Sequence, residues 1–129
     1  MIQQTTIDRP KGYIHVYTGN GKGKTTAALG LALRASGAGL RTFIAQFLKS
    51  QFTSELTMLQ ENPLIQVEQF GQENFVLPSD PGIEDISAAL TGYQKIVDVF
   101  KKDDFDLVVL DEINMAVAFG LLQKSDVIK

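Results

Sequence analysis

The sequence predicts a three-layer α/β/α fold with a mostly parallel sheet. Apolar, β-branched runs alternate along the chain with helix-forming runs, a pattern that implies parallel strands joined by crossover helices. One such run leads straight into "YTGNGKGKTT" (17–26), which holds three glycines and two lysines, and another ends in two carboxylates, Asp111 and Glu112.

Residues 1–12 read as a flexible lead-in closed by Pro10 and Gly12, and residues 13–129 as one domain. "YIHVYT" (13–18) is rich in β-branched and aromatic residues and reads as the first strand, with His15 packed in its middle. A helix is expected over 25–38, with Leu29, Ala32, Leu33 and Ser36 on one face, stopping at Gly37 and Gly39. "RTFIAQF" (41–47) reads as the second strand, with Phe43 and Phe47 on alternate positions in the core. "SELTMLQE" (54–61) reads as a short helix capped by Ser54. "IQVEQF" (65–70) reads as the third strand, ahead of a loop with Gly71, Pro78, Pro81 and Gly82. Ile83, Ile86, Leu90, Tyr93, Val97 and Phe100 then recur at spacings of three and four. They predict an amphipathic helix of about 18 residues, capped by Ser79 or Asp80. In "DLVVLDE" (106–112) four consecutive apolar residues predict a central strand buried on both faces. "INMAVAFGLL" continues as a helix to about Leu122, and Ser125 caps a further one that has barely begun at Lys129. That stop, after so few strands, leads us to expect a shortened C-terminus that lacks the last strands of the sheet.

Twelve basic against 15 acidic side chains give a formal charge of -3, which argues against a general nucleic-acid or anionic-membrane surface. The chain has no cysteine, which excludes disulfides, thiolate metal sites and thiol redox chemistry. No apolar run approaches the roughly 20 residues of a membrane span, and "MIQQTTIDRPKG" is not a signal peptide. A cytoplasmic protein without nucleic-acid or membrane partners is the expectation.

A glycine loop between strand and helix is built to hold polyphosphate, because its backbone N–H groups turn inward and a lysine adds a point charge. The standard phosphate loop is G-x-x-x-x-G-K-[ST]. Gly23, Lys24 and Thr25 close that motif correctly, but Thr18 stands where its first glycine is expected, and Gly19 and Gly21 follow instead. The candidate nucleotide contacts are Thr18, Gly19, Asn20, Gly21, Lys22, Gly23, Lys24, Thr25 and Thr26. Thr25 is placed to offer its hydroxyl to Mg²⁺, with Asp111 and Glu112 as the other metal-site candidates. Lys22, Lys24 and Glu112 are the candidate catalytic groups. Phe52 and Phe75 fall in predicted loops, where a large apolar side chain serves either packing or an apolar ligand.

"GYIHVYTGNGKGKTTAALGLALRASGAGLRTFIAQFLK" and "VVLDEIN" closely resemble the two nucleotide motifs of the ATP:corrinoid adenosyltransferases, over roughly residues 11–126. The unusual loop is the form typical of that family. The resemblance implies a P-loop NTPase-like fold and transfer of the 5′-deoxyadenosyl group of ATP to the cobalt of a reduced corrinoid, cob(I)alamin or a precursor, with release of tripolyphosphate. It implies Mg²⁺, with Mn²⁺ as a substitute, an external reductant such as a flavoprotein, and a homodimer. It also implies that Phe75, with Phe52 and Lys49, forms the corrinoid contact, Phe75 by providing an apolar wall at the cobalt. "GQENFV" departs from the two-aromatic loop of the family, and Ser50 stands where its "FLKG" turn has glycine. Two other readings stay open: an ordinary phosphate-loop NTPase or kinase, and a non-catalytic ATP-binding fragment.

Overall fold

The computed structural model describes residues 12–48, 53–71 and 83–118. Strands β1 (Thr42–Phe47), β2 (Ile65–Phe70) and β3 (Leu107–Asp111) form a parallel sheet in the order β2-β1-β3. Helix α1 (Lys24–Gly37) precedes β1, α2 (Ser54–Glu61) joins β1 to β2, α3 (Ile83–Lys102) joins β2 to β3, and α4 (Ile113–Ala118) follows β3. The α/β class is as expected.

All six residues of β1 are buried, because both faces of this middle strand are covered. Side chains alternate across a strand. Phe43, Ala45 and Phe47 therefore pack with Ala89, Ile96 and Val99 of α3 and Ala116 of α4. Ile44 points the other way, to Ala32 of α1 and Leu56 and Leu59 of α2. Two helices thus cover each face, and each buried phenylalanine contributes about 1.5–3 kcal/mol of apolar transfer. At the bottom of the sheet the Arg41 N–H donates to Asp106 Oδ2 at 2.9 Å, and the Arg41 guanidinium lies over the Phe105 ring, 5.2 Å from its centroid. These contacts hold the start of β3 beside the start of β1. Helix α1 ends where Gly39 takes a φ of 79° and the Leu40 N–H reaches back to the Ala35 carbonyl at 2.9 Å, a closure that favours glycine.

Four expectations are corrected. Residues 13–18 form no strand: Tyr13, Ile14 and Val16 are 80%, 93% and 70% exposed, and His15 is exposed with them. β-branched composition describes a fit to a pleated, half-buried surface, and it forms a strand only where an edge pairs with it. Among the described residues the run at β3 is an edge strand and β1 the middle one, and Leu107 to Leu110 are only half-buried. Ser54 is the first helical residue rather than the cap: Thr53 stands at the cap, and no side chain caps the helix. The stripe of α3 is also rotated from the one its large residues suggest. Leu90 and Phe100 are 52% and 61% exposed, whereas Ala89, Gly92, Ile96 and Val99 are buried; Leu33 of α1 is likewise exposed.

The buried stripe is built on small residues because α3 lies close to the sheet. A β-carbon at Gly92 would stand 2.7 Å from Phe70 Cγ and 2.9 Å from Phe47 Cε1. Gly92→Ala is therefore expected to destabilise the fold by about 1–3 kcal/mol through overpacking, despite the better helix propensity of alanine. Urea unfolding checks this; an unchanged or raised midpoint would mean that the two rings move aside. The expected cap of α3 at Ser79 or Asp80, and the chain beyond Ala118, lie outside the described residues.

Candidate functional site

The candidate site lies at the C-terminal ends of β1 and β3, where ligands of open parallel sheets bind. Before it runs the exposed loop 18–23, in which Gly19 and Gly23 have φ of 138° and 104°, in the left-handed region that favours glycine. Gly23 is the N-cap of α1, no side chain caps this helix, and its first turn carries no acidic residue. The N–H groups there, with the roughly half positive charge of a helix N-terminus, face the loop. Lys24 Nζ donates to the carbonyl oxygens of Gly19 at 2.7 Å and Gly21 at 2.6 Å, so the ammonium folds back across the loop. An anion entering there competes with two carbonyls for this charge. Lys22 is exposed on the same loop, as are Thr18 and Asn20, and Thr26 is exposed in the first turn of α1.

At the second residue of the helix, the Thr25 hydroxyl donates to Asp111, at 2.9 Å from Oδ1 and 3.1 Å from Oδ2. The register of the sheet explains why Asp111 faces α1. Ile44 pairs with Val67 and Val109, and Gln46, two residues further on the same face, pairs with Gln69 and Asp111. An apolar row thus lies under a polar one. Gln46 Nε2 donates to Asp111 Oδ2 at 3.3 Å, and Gln69 Nε2 donates to Gln46 Oε1 at 3.0 Å. Asp111 is 9% exposed and Gln46 1% exposed. Glu112 leaves the strand with a φ of 63°, and its carbonyl accepts the Ala116 N–H at 3.1 Å, opening α4. That backbone conformation costs a non-glycine residue about 1–3 kcal/mol and persists where the surroundings impose it.

Of the residues singled out in the sequence, the structure brings together the loop, Lys24, Thr25 and Asp111, with Glu112 next in the chain. Thr25 and Asp111 are oxygen donors of the hard kind that Mg²⁺ takes alongside phosphate oxygens. Lys49, Phe52 and Phe75 lie outside the described residues. Among the described residues there is no group of three or more histidines, cysteines or carboxylates that could hold a metal ion, and no helix long and apolar enough to cross a membrane. Gln46 and Gln69 escaped the sequence reading. Their signal was present in the shared ending of "FIAQF" and "QVEQF", where each of two strands closes on Gln-Phe.

These features mark an α/β protein whose glycine loop, first helix and β3 carboxylate converge at one end of a parallel sheet. The chain belongs to the ATP:corrinoid adenosyltransferase BtuR/CobO/CobP family, whose family model matches residues 10–129. It is 34% identical over 121 residues to the corrinoid adenosyltransferase of Escherichia coli, covering 92% of this chain and 60% of that protein. Against the corrinoid adenosyltransferase CobA of Salmonella typhimurium the identity is 36% over 120 residues, with the same coverage of 92% and 60%. Against the corrinoid adenosyltransferase of Pseudomonas aeruginosa it is 32% over 114 residues, covering 88% of this chain and 56% of that one. The chain thus spans little more than half the length of these curated relatives.

Proposed function

We propose that residues 13–129 form one nucleotide-binding domain that transfers the 5′-deoxyadenosyl group of ATP to the cobalt of a reduced corrinoid, with release of tripolyphosphate. The observation that carries this reading is the 2.9 Å bond from Thr25 to Asp111, which joins the loop-helix unit to the end of β3 in a chain of this family. In the proposed step the electron pair of cobalt(I) attacks the ribose C5′, the C5′–O bond breaks, and its pair leaves with the triphosphate. Cobalt(I) is already a strong nucleophile, so the chain needs no general base. Its task is to hold the leaving group and to stabilise the charge that grows there.

Lys22, Lys24 and the N–H groups of residues 18–26 bind the triphosphate in this reading, with Lys24 exchanging the Gly19 and Gly21 carbonyls for phosphate oxygens. Thr25 and Asp111 hold Mg²⁺, or Mn²⁺ in its place, with Glu112 beside them. When bound, the metal neutralises charge on the triphosphate. Phe75, Phe52 and Lys49 contact the corrinoid, cob(I)alamin or a precursor, in synthesis or salvage of the cofactor. A flavoprotein or similar reductant supplies the electron, and the assembly is a cytoplasmic homodimer.

Phosphorus NMR of the product from ATP and reduced corrinoid tests the reading. Tripolyphosphate supports it, whereas ADP would assign the site to an ordinary NTPase or kinase. Phe75→Ala is expected to slow reaction from cob(II)alamin plus reductant much more than reaction from prereduced cob(I)alamin. Equal losses in the two assays would leave Phe75 with a packing role only.

A further inference from the structure

We propose that Gln69 and Gln46 are positioning residues: a directional pair of amides that presents Asp111 to the metal-nucleotide as an oriented acceptor. The inference rests on the reading that Thr25 and Asp111 meet a metal-bound triphosphate. Its geometric basis is independent of that reading. Gln69, Gln46 and Asp111 are direct register partners on three adjacent strands, and all lie on the α1 face. Gln46 is 1% exposed, so its amide must find partners inside the protein.

The polarity of the row follows from its end. A carboxylate only accepts, so Gln46 must turn its NH₂ toward Asp111, as its 3.3 Å bond to Oδ2 records. That leaves Gln46 Oε1 facing β2, where it accepts from Gln69 at 3.0 Å. The donors thus run in one direction, from β2 through β1 to β3. Thr25 donates to the same carboxylate from α1, so Asp111 is held from the sheet and from the helix at once. Partners of this kind, one shell out from a metal ligand, typically change metal affinity by about 10–100-fold when removed.

Gln69→Glu tests the direction of the row. The introduced carboxylate accepts only, so Gln46 turns its NH₂ toward β2 and its carbonyl toward Asp111, setting acceptor against acceptor. Simple electrostatics gives the opposite sign, because an added negative charge near a cation site strengthens cation binding. The measurement is binding of the Mn²⁺-ATP complex, followed by the enhancement of water-proton relaxation that the protein adds to Mn²⁺-ATP alone, with thermal unfolding recorded for each chain. Wild-type binding together with 10–100-fold weaker binding by Gln69→Glu is expected. Gln46→Met, which keeps the volume and removes the donor, is expected to weaken binding as well, and it decides the matter if Gln69→Glu does not fold. Unchanged or tighter binding in the folded variant would overturn the positioning role and leave the metal-nucleotide reading standing. Absence of Mn²⁺-ATP binding in the wild-type chain would overturn both.

Discussion

The Lys24→Ala chain is expected to lose about 10²–10³-fold in turnover with ATP, the usual effect of removing one strong donor from a developing anion. The reasoning starts from the loop. Its glycines at φ 138° and 104° leave the backbone free of side chains, and α1 opens without an acidic residue, so nothing in the first turn opposes an anion. Lys24 is the side chain whose ammonium already spans this loop, bonded to the carbonyls of Gly19 and Gly21. Those bonds hold the charge where a triphosphate would lie. Lys24→Arg is not expected to restore full activity, since a planar guanidinium cannot occupy the place of a compact ammonium between two carbonyls. Steady-state kinetics of the three chains checks this, and wild-type rates in Lys24→Ala would remove the loop lysine from the mechanism.

Asp111→Asn carries the second large effect. Asparagine keeps the volume of the side chain and an oxygen for the Thr25 hydroxyl, so the folded state is expected to survive. The carboxylate charge is lost, and with it the hard donor proposed for Mg²⁺. Metal neutralisation of a phosphoryl group is worth several kcal/mol, which corresponds to about 10²–10³-fold in rate. Calorimetry with MgATP and with ATP in chelator separates the two contributions. Binding should fall strongly in the first case and little in the second. Equal binding of MgATP by Asp111→Asn and wild type would mean that Asp111 only anchors α1 through Thr25.

The parts of the molecule that sequence made legible are those where local chemistry decides the outcome. "SELTMLQE" and "IQVEQF" became α2 and β2 with the expected bounds, and Phe43 and Phe47 are fully buried, because strand alternation and helix length act over a few residues. The juxtaposition of Thr25 with Asp111, 86 residues apart, was legible because the phosphate-loop pattern pairs a loop threonine with a strand-end carboxylate. What stayed hidden depends on distance between elements. The α3 stripe is hidden from periodicity, which weights large side chains, whereas this helix approaches Phe47 and Phe70 closely enough to require Gly92 on its inner face. The run at 13–18 has the propensity of a strand, and pairing cannot be read from one strand. In the sequence Gln46 and Gln69 carry no mark that sets them apart from other polar residues beyond the shared Gln-Phe ending of their strands. Only the register shows that they share a row with Asp111.

Adenosyl transfer itself is tested most directly by mixing this chain with MgATP and chemically reduced cob(I)alamin in the absence of oxygen, and following the visible spectrum of the corrinoid. Formation of adenosylcobalamin, dependent on Lys24 and on the metal, is the outcome required if the loop and Asp111 serve transfer to cobalt. ATP bound or hydrolysed with no cobalt–carbon bond formed would contradict it, and would reassign the site to nucleotide binding or hydrolysis alone.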